Sequence, residues 1–140
     1  MGWMQPTAQQ LPYMVLPGNH EAQCHSGPCL VEEDQRGERL TNFTAFNHRF
    51  RMPSPESGGV MNMWYSFNYG PIHFVQIDTE TDFEGAPKDA YVGLETGGFG
   101  RQMEWLAADL AKAASPAERA LRPVIIVSGH RPVYSLDDID

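Results

Sequence analysis

The stretch Tyr13-Met14-Val15-Leu16-Pro17-Gly18-Asn19-His20-Glu21 decides the fold of this chain. A short apolar run leads directly into a glycine, and then into an asparagine and a histidine, two side chains that bind metals or move protons. The same order recurs in Val124-Ile125-Ile126-Val127-Ser128-Gly129-His130. Open α/β sheets bind their ligands at the carboxyl ends of the strands. The two segments therefore predict neighbouring strand ends that form half of a metal site.

The segments between these two ends predict a mixed α/β chain. We expect a buried strand at 12–16, a β-hairpin at 63–78 with its turn at 68–71, and a last strand at 123–128. Residues 101–113 are expected to form a helix, because their apolar residues recur at helical spacing. These apolar residues are Met103, Leu106, Ala107 and Leu110.

The chain between the first strand and the hairpin shows little periodicity. Residues 22–59 predict one long irregular loop, and a loop of this length in a compact domain is usually functional. Three aromatic residues in its middle are expected to hold it against the core; they are Phe43, Phe46 and Phe50. Residues 1–10 are expected to be the end of a polar helix, and residues 93–100 a loop.

Composition excludes several classes of partner. The 140 residues carry a formal net charge of −8 and contain no cluster of Lys or Arg, so we expect no nucleic acid partner, which would need a basic surface. The apolar runs are too short to cross a bilayer, so we expect no membrane insertion. The beginning of the chain has neither the basic nor the apolar region of a signal peptide.

Two weak signals favour an oxidising compartment. Cys24 and Cys29 lie close enough in sequence to close a small disulfide, although two cysteines alone would make a poor zinc site. Asn42 begins an Asn-Phe-Thr sequon, which would be glycosylated only in a secreted protein.

The histidines and the asparagine that could carry chemistry also have plainer interpretations. Asn19 and His20 could form a simple turn, with Gly18 at positive φ and Asn19 capping the backbone. His130 could be a structural histidine at the end of a strand. His73, inside the hairpin, is expected to be a structural histidine whose ring nitrogens have partners. His25 is expected at the surface, and Tyr134 could either line a pocket or pack.

Two clusters of charged residues likewise allow two interpretations each. The first cluster consists of Asp78, Glu80 and Asp82. It could bind a cation or form a solvated loop. The second could attract an anion or lie in solvent, and consists of His48, Arg49 and Arg51. The sequence contains no glycine-rich phosphate loop and no Gly-x-Ser-x-Gly elbow, so metal chemistry is better supported than a serine nucleophile.

Several segments together resemble the purple acid phosphatases, which belong to the calcineurin-like metallophosphoesterases. The resemblance rests on residues 12–21 (PYMVLPGNHE), 63–67 (MWYSF) and 127–135 (VSGHRPVYS). Residues 46–53 (FNHRFRMP) are similar to the fungal and protist branch of that family. The similarity covers essentially the whole chain in the expected order and spacing.

The resemblance implies a fold, a metal centre and a reaction. The fold is an αββα sandwich whose strand ends carry one ferric ion and one divalent ion, such as zinc, manganese or iron. Asn19 and His130 are implied as ligands of the divalent ion. His20 is implied to lie beside the substrate phosphate as a hydrogen-bond donor or general acid. The family hydrolyses small phosphate monoesters at acidic pH, and its members are expected to be secreted.

The chain also departs from the family pattern. The two aspartates and the tyrosinate of the family's first motifs precede the Gly-Asn-His strand, but only 17 residues precede Gly18 here. The Gly-His-x-His motif that should follow His130 is absent from the last ten residues. Residues 1–140 are therefore interpreted as the central part of a single catalytic domain that lacks its N- and C-terminal parts, and we expect them to be inactive alone.

Two alternative functions remain open. The chain could be a truncated, non-catalytic interaction module that self-associates through exposed sheet edges. It could instead belong to another calcineurin-like enzyme, such as a nucleotidase or diesterase. The segments at 46–53 and 63–67 argue against the second alternative, because they follow the acid phosphatase branch.

Overall fold

The computed structural model describes residues 10–22, 41–86 and 96–132. Its elements follow in the order α1 (Asn19–Ala22), α2 (Thr44–Arg49), α3 (Ser54–Ser57), β1 (Tyr65–Tyr69), β2 (Ile72–Gln76), α4 (Gln102–Ala113), α5 (Pro116–Leu121) and β3 (Val124–Ser128). The mixed α/β class is as predicted. None of the helices in these ranges has the length and apolar character needed to cross a membrane. Residues 1–9 of the predicted polar helix and 93–95 of the predicted loop lie outside the described ranges.

The predicted hairpin is confirmed. Strands β1 and β2 pair antiparallel, with Tyr65 opposite Gln76 and Tyr69 opposite Ile72. The two-residue turn between them needs a left-handed backbone, and Gly70 supplies it at φ 55°. Local turn chemistry therefore fixes the register of this pair.

The last strand is also confirmed, and it lies beside the hairpin. Strand β3 pairs in parallel with β2, with Ile72 opposite Val124 and Gln76 opposite Ser128, giving a sheet of order β1-β2-β3. The crossover between the two parallel strands includes α4 and α5. Because parallel strands end at the same edge, the chain leaving β2 and the chain leaving β3 meet there.

Helix α4 is confirmed, but the side that it buries differs from the prediction. Ser115 ends the helical run and caps α5, accepting a hydrogen bond from the backbone N–H of Glu118. Met103, expected to face the core, is 56% exposed, whereas Gln102 is buried. The orientation follows from polar contacts, since Gln102 bonds the loop after β2 and Asp109 bonds the hairpin.

The predicted strand at 12–16 is wrong. The chain there is assigned no strand, and Tyr13 is 49% exposed. Its backbone groups bond side chains instead of a neighbouring strand. The Val15 carbonyl accepts from the Tyr65 hydroxyl at 2.6 Å, and the Val15 N–H lies 3.4 Å from the sulfur of Met52.

The core lies between the chain preceding the hairpin and helix α4. Phe43, Phe46, Met63 and Trp64 form its centre with Ala22, and Phe50 packs against them. The predicted role of the three phenylalanines is therefore confirmed. The prediction of a structureless loop at 22–59 is wrong where the structure describes it, because α2 and α3 lie within that range and α1 ends at Ala22.

Candidate metal centre

The Gly-Asn-His segment forms the first turn of helix α1. The Glu21 carboxylate accepts from the Gly18 N–H at 2.9 Å, which is the back-bond of a capping box. The Glu21 N–H donates to the Gly18 carbonyl at 3.1 Å. These bonds place Asn19 and His20 side by side at the start of the helix, where both are exposed.

Gly18 is required because another part of the chain packs against its backbone, not because of the positive φ that the turn interpretation expects. It is not among the glycines with positive φ. A Cβ at Gly18 would lie 3.0 Å from two ring atoms of His130, so the imidazole rests on bare backbone. The turn explanation for this glycine is therefore wrong, and a close approach between two distant parts of the chain replaces it.

The structure brings Asn19 and His130 together. Nε2 of His130 lies 3.0 Å from Oδ1 of Asn19, although the two residues are 111 positions apart in sequence. The imidazole comes from the turn after β3, and the amide comes from the first residue of α1. The predicted meeting of these two chain ends is thus found, with a short helix in place of the first strand.

The two atoms fit a shared ion in chemistry and in spacing. An amide oxygen and an imidazole nitrogen are both metal ligands, and two atoms bound to one ion at about 2.1 Å and roughly 90° lie about 3 Å apart. Within the described residues, no group of three or more His, Cys, Asp or Glu could hold a metal. Any ion held at this point would therefore need further ligands besides Asn19 and His130.

Two of the three acidic residues in the loop after β2 are buried, so the interpretation of a solvated loop is wrong for Asp78 and Glu80. Asp78 is 1% exposed and Glu80 4%. The Asp78 carboxylate accepts from the Glu80 N–H at 2.8 Å and from the Thr81 hydroxyl at 2.6 Å. Burial raises the pKa of Asp78 from 3.8 to about 6, against the opposing effect of these two hydrogen bonds.

Helix α4 holds this loop by two hydrogen bonds between the Gln102 side chain and the backbone of Asp78. The Gln102 amide oxygen accepts from the Asp78 N–H at 2.7 Å, and the Gln102 amide nitrogen donates to the Asp78 carbonyl at 2.9 Å. A buried glutamine with both ends paired fixes the loop relative to the helix. The helical spacing used to predict α4 assigned no role to Gln102.

An ion pair between the two loops was also missed by the sequence analysis. Arg131, the residue after His130, donates to both carboxylate oxygens of Glu80, with the shortest contact 2.6 Å from Nη2 to Oε2. No pattern in the sequence indicates that the loop carrying Glu80 and the loop carrying Arg131 would meet.

The other sequence candidates lie away from this edge. His73 is a satisfied structural histidine, as predicted: its Nδ1 lies 2.7 Å from Asn68 Oδ1 and its Nε2 lies 2.8 Å from Asp109 Oδ2. These groups line a cavity of about 540 Å³ between the hairpin and α4. His48 is exposed on α2 and joins no group of potential metal ligands among the described residues.

The structure describes the candidate glycosylation site but not the two cysteines of the candidate disulfide. Asn42 is half-buried, and its side chain forms two hydrogen bonds with the backbone of Gly97, at 2.8 and 3.2 Å. Cys24, Cys29, His25 and Tyr134 lie outside the described residues.

Comparisons with known proteins identify the family of this chain. The family model described as calcineurin-like phosphoesterase matches residues 2–139. The chain is 40% identical to "Acid phosphatase" of Aspergillus ficuum, over 95% of this chain and 29% of that protein. It is 37% identical to "Acid phosphatase type 7" of Danio rerio, over 100% of this chain and 26% of that protein.

A plant protein is similar over the same region. "Probable purple acid phosphatase 20" of Arabidopsis thaliana is 32% identical over 96% of this chain and 25% of that protein. The chain thus spans between about a quarter and a third of the length of these curated relatives. Since the family model covers nearly every residue, the chain belongs to the calcineurin-like phosphoesterases.

Proposed function

We propose that this chain is part of a metal-dependent acid phosphatase that hydrolyses small phosphate monoesters at acidic pH. The observation that carries the proposal is the contact of 3.0 Å between Asn19 Oδ1 and His130 Nε2 at the strand-end edge of the sheet. The names of the similar proteins support the choice of reaction within the family.

Each residue of the site would have a distinct role. Asn19 would offer a neutral oxygen ligand. His130 would offer the lone pair of Nε2, which requires its ring proton to lie on Nδ1. The proposed centre of one ferric ion and one divalent ion (zinc, manganese or iron) would supply positive charge for the phosphate oxygens and activate water. His20, adjacent to Asn19, would hold a proton for the leaving oxygen.

Binding of Zn²⁺ to the 140-residue chain tests the two proposed ligands. We expect weak binding by isothermal titration calorimetry, because a complete site needs about four to six ligands. Asn19→Ala and His130→Ala should each abolish it, whereas His48→Ala, which removes an exposed imidazole from α2, should not. Equal affinity in all three variants and the parent chain would contradict the assignment.

A chimera tests the reaction. Residues 1–140 would replace the matching segment of the Aspergillus ficuum acid phosphatase, and hydrolysis of p-nitrophenyl phosphate would be followed from pH 4 to 8. We expect activity at acidic pH that Asn19→Ala and His130→Ala abolish together with metal content. His20→Ala should lower turnover at least about 100-fold while the metal is retained. A folded, metal-loaded chimera without hydrolysis would refute the proposal.

We further propose that residues 1–140 are the central part of one catalytic domain. The relatives are three to four times longer than the matched region, as their covered shares of 25–29% imply. Two ligands do not make a dinuclear centre, so the isolated chain should not turn over phosphate monoesters. Hydrolysis by the purified chain that Asn19→Ala abolishes would contradict this.

Secretion is proposed from the family resemblance, a glycan on Asn42 from the sequon, and a Cys24–Cys29 disulfide from the short spacing of the two cysteines. A glycan on Asn42 would have to share its amide nitrogen with the Gly97 carbonyl, 3.2 Å away. Mass spectrometry of secreted protein before and after enzymatic deglycosylation tests the modification. An unmodified peptide containing Asn42 would exclude it.

Self-association through β3 is a second proposal about partners. Among the described strands, none pairs with the outer edge of β3, and Val124, Ile126 and Val127 are 44%, 38% and 47% exposed. An unpaired apolar edge can pair with the same edge of another copy. Sedimentation velocity should show dimers that increase with concentration; a monomer at all concentrations would refute it.

A further inference from the structure

The loops that follow β2 and β3 interlock at the edge of the sheet that carries His130. Thr79 makes two contacts with the β3 loop. Its hydroxyl accepts from the Arg131 N–H at 3.1 Å, and its methyl group would lie 2.6 Å from a Cβ at Gly129. The residues on either side of His130 are therefore both in contact with the loop after β2.

The strongest contact between the two loops is the ion pair of Glu80 with Arg131. Nε of Arg131 lies 3.1 Å from both carboxylate oxygens, and Nη2 lies 2.6 Å from Oε2. The Glu80 side chain is 4% exposed and that of Arg131 47%. Such a forked, charge-assisted contact defines direction as well as distance.

Glu80 is itself held by the interior of the molecule. Its backbone N–H donates to the carboxylate of Asp78. The backbone N–H and the backbone carbonyl of Asp78 are both hydrogen-bonded to the side chain of Gln102 in α4. A continuous series of hydrogen bonds therefore runs from helix α4 to the guanidinium of Arg131.

The imidazole of His130 has little burial to define its position. Gly129, His130 and Arg131 are all exposed. Apart from its packing on the Gly18 backbone, the location of the ring is therefore set by the backbone of this turn and by the contacts that hold the turn. Those contacts are made by Thr79 and Glu80.

We propose that Glu80 and Arg131 are positioning residues that hold His130 in the orientation in which its Nε2 meets Asn19 Oδ1. The inference rests on the proposed function in one respect, namely that this pair of atoms is where the metal binds. Residues outside the first ligand shell that orient a ligand typically change metal affinity by about 10- to 100-fold when they are replaced.

Two substitutions of this ion pair and one matched control test the proposal in the 140-residue chain. Glu80→Gln keeps the shape of the side chain but places an amide N–H against the guanidinium. Arg131→Lys keeps the charge but loses the fork. The control, Glu118→Gln, breaks another partly buried ion pair, in which Arg122, the residue after α5, lies 2.5 Å from Glu118.

The first measurement is the Zn²⁺ affinity, taken at a temperature where circular dichroism shows every variant to be folded. We expect Glu80→Gln to weaken binding by about 10-fold or more and Arg131→Lys to weaken it less. Glu118→Gln should leave the affinity unchanged. A loss of the same size in the control, or no loss in the two positioning variants, would overturn the proposal.

The second measurement does not depend on metal. Long-range ¹H–¹⁵N spectra of the metal-free chain report the imidazole of His130, whose signals are assigned by their disappearance in His130→Ala. We expect these signals to shift and broaden in Glu80→Gln and Arg131→Lys, but not in Glu118→Gln. If the parent chain fails to bind Zn²⁺ while these shifts occur, the proposed function fails and the positioning role stands. Unchanged His130 signals would refute the positioning role.

Discussion

Replacement of Asp78 by asparagine should make the chain more stable at neutral pH, contrary to the usual effect of a buried substitution. Asp78 is 1% exposed, and burial raises its pKa from 3.8 to about 6. At 1.36 kcal/mol per pKa unit, ionisation of this carboxyl in the folded chain costs about 3 kcal/mol relative to the unfolded chain.

The hydrogen bonds around Thr81 show why a neutral group suits this position. The Thr81 hydroxyl lies 2.6 Å from Asp78 Oδ2 and 2.7 Å from Asp82 Oδ2, yet it has one hydrogen to donate. A proton on Asp78 lets Asp78 donate to Thr81 while Thr81 donates to Asp82. An asparagine amide can donate in the same way, and its oxygen can still accept from the Glu80 N–H.

The sign of the pH dependence follows from the raised pKa. Between pH 3.8 and about 6 the folded chain holds a proton on Asp78 that the unfolded chain has lost. The contribution of this group to stability is therefore complete below pH 3.8 and is lost as the pH rises through about 6.

Urea denaturation at pH 4, 6 and 8 measures the effect. We expect the free energy of unfolding of Asp78→Asn to be about 2–3 kcal/mol higher than that of the parent chain at pH 8. At pH 4 the two free energies should differ by less than about 1 kcal/mol. Glu104→Gln is the control, because Glu104 lies in an exposed ion pair with Arg101 and should contribute less than about 1 kcal/mol at any pH. A variant that is less stable than the parent at pH 8 would refute the reasoning.

Three further substitutions test other contacts, each by urea denaturation. Tyr65→Phe removes the hydroxyl that bonds the Val15 carbonyl at 2.6 Å and should cost about 1–2 kcal/mol; no loss would show that water replaces the bond. Phe46→Ala empties a core site that is 6% exposed and should cost about 3–5 kcal/mol, and a cost below about 1 kcal/mol would contradict the described core. Gly129→Ala should cost about 1–3 kcal/mol because its methyl meets that of Thr79, and Thr79→Ser should restore the loss; an additive double variant would refute that contact.

The parts of the fold that the sequence predicted are those determined by neighbouring residues. The hairpin follows from branched and aromatic residues on both sides of a turn at Gly70, whose φ is 55°. The end of α4 follows from Ser115 and the proline after it. The run at 12–16 reads locally as a strand, but its backbone bonds Tyr65 and Met52, which no local pattern reveals.

One contact of the candidate site could be predicted from the sequence, and another could not. The juxtaposition of Asn19 and His130 could be inferred because both follow apolar runs that were expected to end at one edge. The pair formed by Glu80 and Arg131 spans 51 positions and has no sequence signature of its own. The loop that carries Glu80 is bonded to Gln102, a polar residue of α4, whereas the buried side of α4 was predicted from the spacing of its apolar residues.

The two glycines that precede the proposed ligands are parts of one packing arrangement. A Cβ at Gly18 would meet the ring of His130 at 3.0 Å, and a Cβ at Gly129 would meet Thr79 at 2.6 Å. Neither contact involves the glycine's own neighbours in sequence, so each glycine allows a distant segment to approach the backbone. Gly18 sets how closely the imidazole can approach Asn19, and Gly129 sets how closely the turn that carries the imidazole can approach the buried loop. The repeated order of a glycine before a proposed ligand therefore marks the two places where backbone contact, rather than side-chain burial, determines how Asn19 and His130 meet.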